Sequence, residues 1–184
     1  MLNTESVSLA KVLENKELSD LVTALGCGLG KNFELARLRY GKVIILADAD
    51  SDGNHIATLL LTFIYRHLPK LIANGKVFIA QPPLYRIDIG KETHWALDDK
   101  HKEDILKRAG KGKPEITRFK GLGEMMPKVL WETTMNPRTR RLLRVEIADQ
   151  LITDRVINEL MGKDPSARFR FIMERAEQAE ELDV

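Results

Sequence analysis

The sequence predicts an α/β fold in which a parallel sheet of the doubly wound kind is flanked by helices and followed by a mostly helical tail. Two apolar segments, Val43 to Ala47 and Val77 to Ala80, have the uninterrupted β-rich character of strands buried on both faces. Between them, apolar residues from Ile56 to Leu68 recur at the spacing of one helix face, until Pro69 ends the pattern. Ligands of such strand, helix, strand units gather at the carboxyl ends of the strands.

The remaining elements follow from local signals along the chain. We expect helices at Ser8 to Asn15, Glu17 to Leu25, Lys100 to Arg108, Pro127 to Thr133, Asp149 to Met161 and Pro165 to Glu180. Further strands are expected at Leu84 to Ile89, His94 to Leu97 and Ile116 to Phe119, with a turn at Gly90 and Lys91 between the first two. The Gly- and Lys-rich segment Ala109 to Pro114 is the candidate boundary between a domain at 1–113 and a tail region at 114–184. The first strand of the tail region can still join the sheet of the first domain.

Composition sets broad limits on the class of protein. The 184 residues, 43% of them hydrophobic, are enough for one well-filled domain with a smaller appendage. Because 29 basic residues nearly cancel 27 acidic ones, the overall charge does not by itself predict nucleic-acid binding. The single Cys27 excludes an internal disulfide, and the chain has no apolar run of membrane-spanning length, so a cytoplasmic location without membrane contact is expected.

An acidic loop directly after the first apolar strand carries the clearest chemical signal. Asp48, Asp50 and Asp52 occupy every second position, so an extended backbone would place their carboxylates on one side, about 6 to 7 Å apart. At an effective dielectric near 20, each such pair of like charges costs roughly 2 to 3 kcal/mol. A divalent cation offsets this repulsion, and oxygen ligands favour Mg²⁺ or Mn²⁺. Gly53 then allows a tight turn into the following helix.

Three other interpretations of the acidic loop stay open. The simplest is a solvated turn. D-A-D-S-D-G also matches the start of an EF-hand, but the twelfth position is Leu59 instead of a bidentate Glu, and a strand instead of a helix precedes the loop. A small-molecule phosphohydrolase with an aspartyl nucleophile, of the haloacid dehalogenase class, is the third alternative, although that class has Thr or Val where Asp52 stands.

Four sequence blocks in register carry a resemblance to a known family. They are TALGCG (Thr23 to Gly28), LRYGKVIILADADSDGNHIATLLLTF (Leu38 to Phe63), AQPPLY (Ala80 to Tyr85) and RFKGLGEM (Arg118 to Met125). In this order they resemble the B subunits of bacterial type IIA DNA topoisomerases, gyrase and topoisomerase IV, whose metal site lies in a Rossmann-like Toprim domain. The blocks do not distinguish gyrase from topoisomerase IV.

The resemblance implies a metal site and a limit on activity. Asp48 and Asp50 match the residues that hold the catalytic metal, and Asp52 matches one that assists directly or through water. The implied cofactor is Mg²⁺, for which Mn²⁺ or Ca²⁺ can substitute in binding, whereas ATP is a ligand of the full-length subunit only. The family's catalytic Glu, from the motif E-G-D-S-A-G-G, is absent from this sequence. A Toprim domain truncated at its amino end, inactive alone, is therefore expected.

The resemblance also implies partners. In the family, a tyrosine of the A subunit attacks a DNA phosphate, and two A and two B subunits assemble on bacterial DNA in the nucleoid. The candidate DNA contacts are His55, Arg118, Lys120, Arg138, Arg140 and Arg141, the last three in a basic cluster that continues to Arg144. The alternatives are a packed His55, a simple turn at Lys120 and a solvated helix face for the arginines. As a whole, the chain could instead be a non-catalytic module that docks DNA or the A subunit.

Overall fold

The computed structural model describes residues 1–109 and 113–178. The α-helices are α1 (Leu9–Glu14), α2 (Lys16–Leu25), α3 (Ser51–His67), α4 (Pro69–Ala73), α5 (Asp99–Arg108), α6 (Pro127–Leu130), α7 (Gln150–Met161) and α8 (Pro165–Glu174). The strands are β1 (Val43–Ile45), β2 (Val77–Ala80), β3 (Tyr85–Ile89), β4 (Glu92–Ala96), β5 (Pro114–Arg118) and β6 (Leu142–Arg144). In these described ranges, no helix has the length and apolar character needed to cross a membrane.

One sheet contains the predicted strand, helix, strand unit. Its strands pair in the order β1-β2-β6, and the chain passes through α3 and α4 between β1 and β2. The N–H of Val145 donates to the carbonyl of Val77 at 3.0 Å, and the N–H of Gln81 donates to the carbonyl of Arg141 at 3.1 Å. From Val77 to Gln81 the chain runs forward along β2, while the residues bonded to it run back from Val145 to Arg141. The two strands β2 and β6 are therefore antiparallel. The sequence does not predict β6, since three residues are too few to show an alternating pattern.

The second sheet has the order β4-β3-β5, and β3 is antiparallel to both neighbours. The predicted turn between β3 and β4 is confirmed, with Gly90 at a φ of 63°. Tyr85, Ile87 and Ala96 form the buried core of this region, against which Ile105 of α5 packs. Because β5 pairs with β3, residues from both sides of the candidate boundary at 113 share this sheet. The boundary itself stays a prediction.

The described residues group into two compact units, each built from separated stretches of chain. The first unit comprises Met1–Val43, His55–Val77 and residues 144–178. The second comprises Ile44–Asn54 and the described residues from Phe78 to Leu143.

The core of the first unit draws on several elements. Phe63 of α3, Leu68 after it, Val12 of α1 and Leu18 of α2 are each fully buried. Burying each of these side chains contributes about 1.5 to 3 kcal/mol, before the entropic cost of ordering them. Cys27 is also fully buried, and burial raises the pKa of its thiol, so this side chain is packed and not poised for reaction.

The tail has helices where the sequence predicts them, although two of them differ in extent. The helix predicted at Pro127 to Thr133 is α6, which ends at Leu130 and is continued by a π-helix at Trp131–Met135. Asp149 accepts a hydrogen bond from the N–H of Ile152 at 2.9 Å and so caps α7, while Asp164 caps α8 by accepting from Ser166. The predicted helix from Pro165 to Glu180 is shorter in the structure, because α8 ends at Glu174 and a single 3₁₀ turn follows at Ala176–Gln178. Its last two predicted residues, like residues 110–112 of the candidate boundary, lie outside the described residues.

Candidate metal centre and nucleic-acid interface

Asp48 follows β1 and is held by a loop that is distant in sequence. Its Oδ1 accepts a hydrogen bond of 2.7 Å from the backbone N–H of Leu122, 74 residues further along the chain. A Cβ added to the neighbouring Gly121 would lie 3.3 Å from both Cγ and Oδ2 of Asp48, tighter than most real contacts. The absence of a side chain at Gly121 therefore allows the backbone of the RFKGLGEM segment to approach this carboxylate closely.

Asp50 directly precedes α3 and caps its amino end. Its Oδ1 accepts a 2.7 Å hydrogen bond from the N–H of Gly53, and its carbonyl accepts one of 3.0 Å from the N–H of Asn54. This is the geometry of an N-cap, in which a side-chain oxygen satisfies a free N–H of the first helical turn. The helix consequently begins at Ser51, before the first residue of its apolar pattern, and the positive end of its dipole favours negative charge at Asp50.

The three aspartates do not form the extended row that the sequence suggests. Asp52 lies in the first turn of α3, because the cap at Asp50 ends the extended backbone two residues earlier than expected. All three are exposed, and within residues 1–109 and 113–178 no group of three or more His, Cys, Asp or Glu is placed to hold a metal ion. The role of Asp48, Asp50 and Asp52 as metal ligands stays a prediction.

Gly53 is required by the same local geometry. A Cβ at this buried position would overlap the carbonyl oxygen of Asp48. Gly53 is needed in this tight turn because the first turn of α3 lies very close to the backbone that precedes it.

The donor chemistry of the loop suits a partly hydrated magnesium ion. Mg²⁺ is usually bound through one or two carboxylates, keeps several waters and completes its shell with substrate phosphates. Asp48 and Asp50 each have one carboxylate oxygen held by a backbone N–H, which orients the group. Over the described part of the chain, neither forms an ion pair, so no cation of the protein occupies the remaining oxygen. The residues present therefore fit such an ion.

The loop that holds Asp48 is itself closed by an acidic side chain. Oε2 of Glu124 accepts a hydrogen bond of 2.7 Å from the backbone N–H of Lys120, and Leu122–Glu124 forms a turn of 3₁₀ helix. The Lys120 side chain is exposed. The sequence predicted roles for Arg118 and Lys120 but not for Glu124 or the backbone N–H of Leu122. No sequence pattern indicates these two groups, because their role depends on the position of the loop beside Asp48.

Arg118 lies at the end of β5 with an exposed side chain. Its guanidinium carbon is 5.9 Å from the centre of the Tyr85 ring. The Tyr85 hydroxyl donates to Asp99 at 2.8 Å, and Lys102 forms an ion pair with the same carboxylate. Lys102 first, and then Tyr85, lower the pKa of Asp99. Arg118 is thus restrained on one side by an aromatic face and open to solvent on the other.

The arginine cluster is not a helix face. Residues 137–139 form a turn and β6 follows, because the N–H of Arg138 donates to the Asn136 side chain at 3.0 Å and the backbone of Arg141 pairs beside β2. Arg138 and Arg141 are exposed, whereas Arg140 is partly buried and directs Nη1 to the carbonyl of Met135 at 3.4 Å.

Two further candidate DNA contacts, Arg144 and His55, lie at the surface. Arg144 forms an ion pair with Glu146 at the surface, and both side chains are exposed. His55 lies on the part of α3 that belongs to the first unit, and its side chain is exposed. The interpretation of His55 as a packed residue is therefore wrong, while its contact with DNA stays a prediction.

Comparison with known proteins places the chain in a family. Residues 4–82 match the family described as Toprim domain, and residues 111–173 match the family described as DNA gyrase B subunit, carboxyl terminus. The chain is 48% identical over its whole length to the DNA gyrase B subunit of Thermotoga maritima and 45% identical to that of Archaeoglobus fulgidus, covering 29% of each. It is 48% identical over 96% of its length to the DNA topoisomerase 4 B subunit of Rickettsia conorii, covering 27% of that protein.

The chain thus spans less than a third of the length of these relatives, and the two family matches lie in the order that the four sequence blocks predict. A Toprim match and a gyrase-B match thus lie in the same chain. The chain belongs to the B-subunit family of type IIA DNA topoisomerases, the family that includes the B subunits of DNA gyrase and DNA topoisomerase 4.

Proposed function

We propose that this chain is the metal-binding and DNA-facing part of the B subunit of an ATP-dependent type II DNA topoisomerase. In the complete enzyme it acts in DNA cleavage and religation with an A subunit that supplies the nucleophilic tyrosine. One observation carries the proposal: two exposed carboxylates, Asp48 and Asp50, are each oriented by a backbone N–H and neutralised by no cation of the described chain. The names of the relatives support the reaction class.

The three aspartates have two roles in this proposal. Asp48 and Asp50, each held by a backbone hydrogen bond, would hold Mg²⁺, and Asp52 would assist from the first turn of α3, directly or through water. When bound, the ion supplies stabilisation of negative charge on phosphate oxygens. The protein holds the acidic oxygens in place beforehand, which reduces reorganisation when DNA binds.

Exposed basic groups complete the proposed DNA-facing surface. Arg118 and Lys120 flank the start of the loop that holds Asp48, and Arg138 and Arg141 form the exposed part of the arginine cluster. Arg140 and His55 belong to the same proposal. Contacts from such groups to phosphates position DNA without reading its sequence, and they weaken as salt concentration rises.

We assign other features of the complete enzyme to the full-length protein. The relatives are more than three times as long as the segment that this chain matches. ATP binding and assembly from two A and two B subunits are therefore proposed for the full-length protein.

Asp50→Asn in the complete subunit, assembled with the A subunit, tests the proposal. Asn caps helices as well as Asp does but carries no charge, so folding and assembly should be unchanged. Loss of a metal-binding carboxylate should reduce Mg²⁺-dependent DNA cleavage and relaxation by about 100-fold or more, measured by gel assay.

Asp98→Asn is the matched control. Asp98 is exposed and caps α5 by accepting from the N–H of His101 at 2.7 Å. Asp98→Asn therefore makes the same substitution at a helix cap away from the acidic loop. Full cleavage by the Asp50→Asn enzyme would overturn the proposal.

One observation favours a second candidate, a non-catalytic module that docks DNA or the A subunit. Over the described residues, the acidic side chains are not assembled into a group of three that could hold a metal ion. If this candidate is correct, replacing Asp48, Asp50 and Asp52 together by Asn leaves binding to the A subunit and to DNA unchanged. Calorimetry with Mg²⁺ would then show no binding to the unchanged chain either.

A further inference from the structure

The loop from Lys120 to Glu124 contacts the proposed metal centre through its backbone. Leu122 donates its N–H to Asp48 Oδ1 at 2.7 Å, and the carboxylate of Glu124 accepts the N–H of Lys120 at 2.7 Å. The first bond fixes one oxygen of Asp48. The second joins the two ends of the loop, so that Leu122 is presented from a short closed turn.

Gly121 lets this turn lie against Asp48. Its φ of −147° and ψ of 162° are extended values that any residue adopts, so the backbone conformation alone does not require glycine. What requires glycine is space, because a Cβ would lie 3.3 Å from Cγ and Oδ2 of Asp48. Gly123, two residues away in the same turn, has nothing within 4 Å of the corresponding position.

We propose that Gly121 and Glu124 are positioning residues that set the orientation of the Asp48 carboxylate for the metal ion. Neither touches the ion. Glu124 acts by holding the Lys120 N–H and thereby the turn that presents the N–H of Leu122, and Gly121 acts by leaving room for Oδ2. The inference rests on the proposed function, because it assigns a ligand role to Asp48.

The chemistry of carboxylate ligands gives this arrangement its effect. A ligating carboxylate is usually hydrogen-bonded by a neighbour that fixes its orientation, and loss of such a neighbour costs roughly 10- to 100-fold in metal affinity. Asp48 is exposed and forms no ion pair with the described residues. The hydrogen bond from the Leu122 N–H is therefore what restrains its carboxylate. A shift of a few tenths of an ångström, forced by a methyl group at residue 121, would turn Oδ2 away from its position.

The first test compares Gly121→Ala with Gly123→Ala in the 184-residue chain. Mn²⁺ is the probe, and its affinity is measured by calorimetry and by the electron paramagnetic resonance signal of the free ion. We expect about tenfold weaker binding for Gly121→Ala, with unchanged binding for Gly123→Ala. Hydrogen exchange at the Leu122 amide, followed without metal, should accelerate only in Gly121→Ala. Equal Mn²⁺ affinities for Gly121→Ala and the unchanged chain would overturn the inference.

The second test separates the hydrogen bond of Glu124 from its charge. Glu124→Ala removes the acceptor for the Lys120 N–H, and we expect faster exchange at the amides of Lys120 and Leu122 with about tenfold weaker Mn²⁺ binding. Glu124→Gln keeps a side-chain oxygen that can accept the same N–H, so it should restore both readouts. If Glu124→Gln binds Mn²⁺ as weakly as Glu124→Ala, the carboxylate charge acts directly and the positioning role is wrong.

The outcomes distinguish this inference from the proposed function. No Mn²⁺ binding by the unchanged chain would overturn the proposed metal centre, and the inference would fall with it. Binding by the unchanged chain together with normal binding by Gly121→Ala would overturn the inference alone. Thermal unfolding of each variant identifies any loss of binding that reflects unfolding instead of a displaced carboxylate.

Discussion

The Arg66 cluster of the first unit and the acidic loop of the second unit differ in how their charged groups are paired. In the first unit, Arg66 donates from Nε to Glu5 at 2.5 Å and from Nη2 to the same carboxylate at 2.7 Å, and its third nitrogen pairs with Asp154. The Glu5 side chain is only 7% exposed. In the second unit, Asp48 and Asp50 are exposed and accept hydrogen bonds only from backbone N–H groups among the described residues.

The difference separates carboxylates that are paired with a cation of the protein from carboxylates that are not. The carboxylates of Glu5 and Asp154 raise the pKa of Arg66, Glu5 having the larger effect, and both carboxylates are hydrogen-bonded to the same guanidinium. The carboxylates of the acidic loop keep their negative charge available. A charge cluster closed within the fold stabilises the fold, whereas an oriented but unneutralised one is available to an external cation.

Of these variants, Arg66→Ala should lower the free energy of unfolding the most. A small effect would contradict the comparison between the Arg66 cluster and the acidic loop. Removing the guanidinium leaves the nearly buried Glu5 without its cation, which should lower the free energy of unfolding by about 3 kcal/mol in urea denaturation. Arg155→Ala is the control, because Arg155 is exposed and lies 4.0 Å from Glu159, a pair expected to contribute about 0.5 kcal/mol or less. Equal losses for both variants would show that the Arg66 cluster is no more than a surface pair.

Asp50→Ala tests whether an aspartate of the acidic loop also has a structural task. Loss of the N-cap should lower the free energy of unfolding by about 1 kcal/mol, while Asp50→Asn should leave it unchanged. Asp98→Ala removes the cap of α5 and should cost a similar amount. A loss of stability in Asp50→Asn as large as in Asp50→Ala would show that charge, and not capping, holds the start of α3.

His67→Leu should give the smallest effect, on the pH dependence of the first unit. Burial lowers the pKa of His67, assisted by the positive charge of Arg66 and opposed by Glu5, and Nε2 is buried without a hydrogen-bond partner in the described residues. Because the folded-state pKa is the lower one, this contribution to stability is complete above about pH 6.5 and is lost as acid protonates the unfolded chain first.

We expect this group to make the free energy of unfolding fall between pH 7 and pH 5, measured by denaturation at each pH. His67→Leu should reduce that dependence, since the substituted side chain takes up no proton. An unchanged pH dependence would contradict the assignment and would point to other groups of the first unit.

Elements with local signals were predictable from the sequence. The hairpin of β3 and β4 is defined by Gly90 at a positive φ, and the capped helices α7 and α8 begin after Asp149 and Asp164. The strand, helix, strand order was predictable because buried strands and a one-sided helix differ in hydrophobic period. These features depend on residues close together in the chain.

The candidate site was predictable only in part, because its geometry depends on distant contacts. The spacing of Asp48, Asp50 and Asp52 identified the acidic loop but suggested an extended backbone, whereas capping by Asp50 starts the helix early. The Leu122 bond to Asp48 joins residues 74 apart, and the Arg66 pairs join residues 61 and 88 apart. No pattern of period or spacing within a short window contains that information.

The discontinuous first unit has a consequence for how the protein is made. Asn3 donates to the carbonyl of Met161 at 2.8 Å across 158 positions, and Asn158 contacts Glu5 at 3.4 Å. Contacts of such high sequence separation form late and slow the search for the native state. Both contacts join the start of the chain to α7, so this part of the first unit can be complete only after α7 has left the ribosome, and nascent chains should be more sensitive to proteases until then.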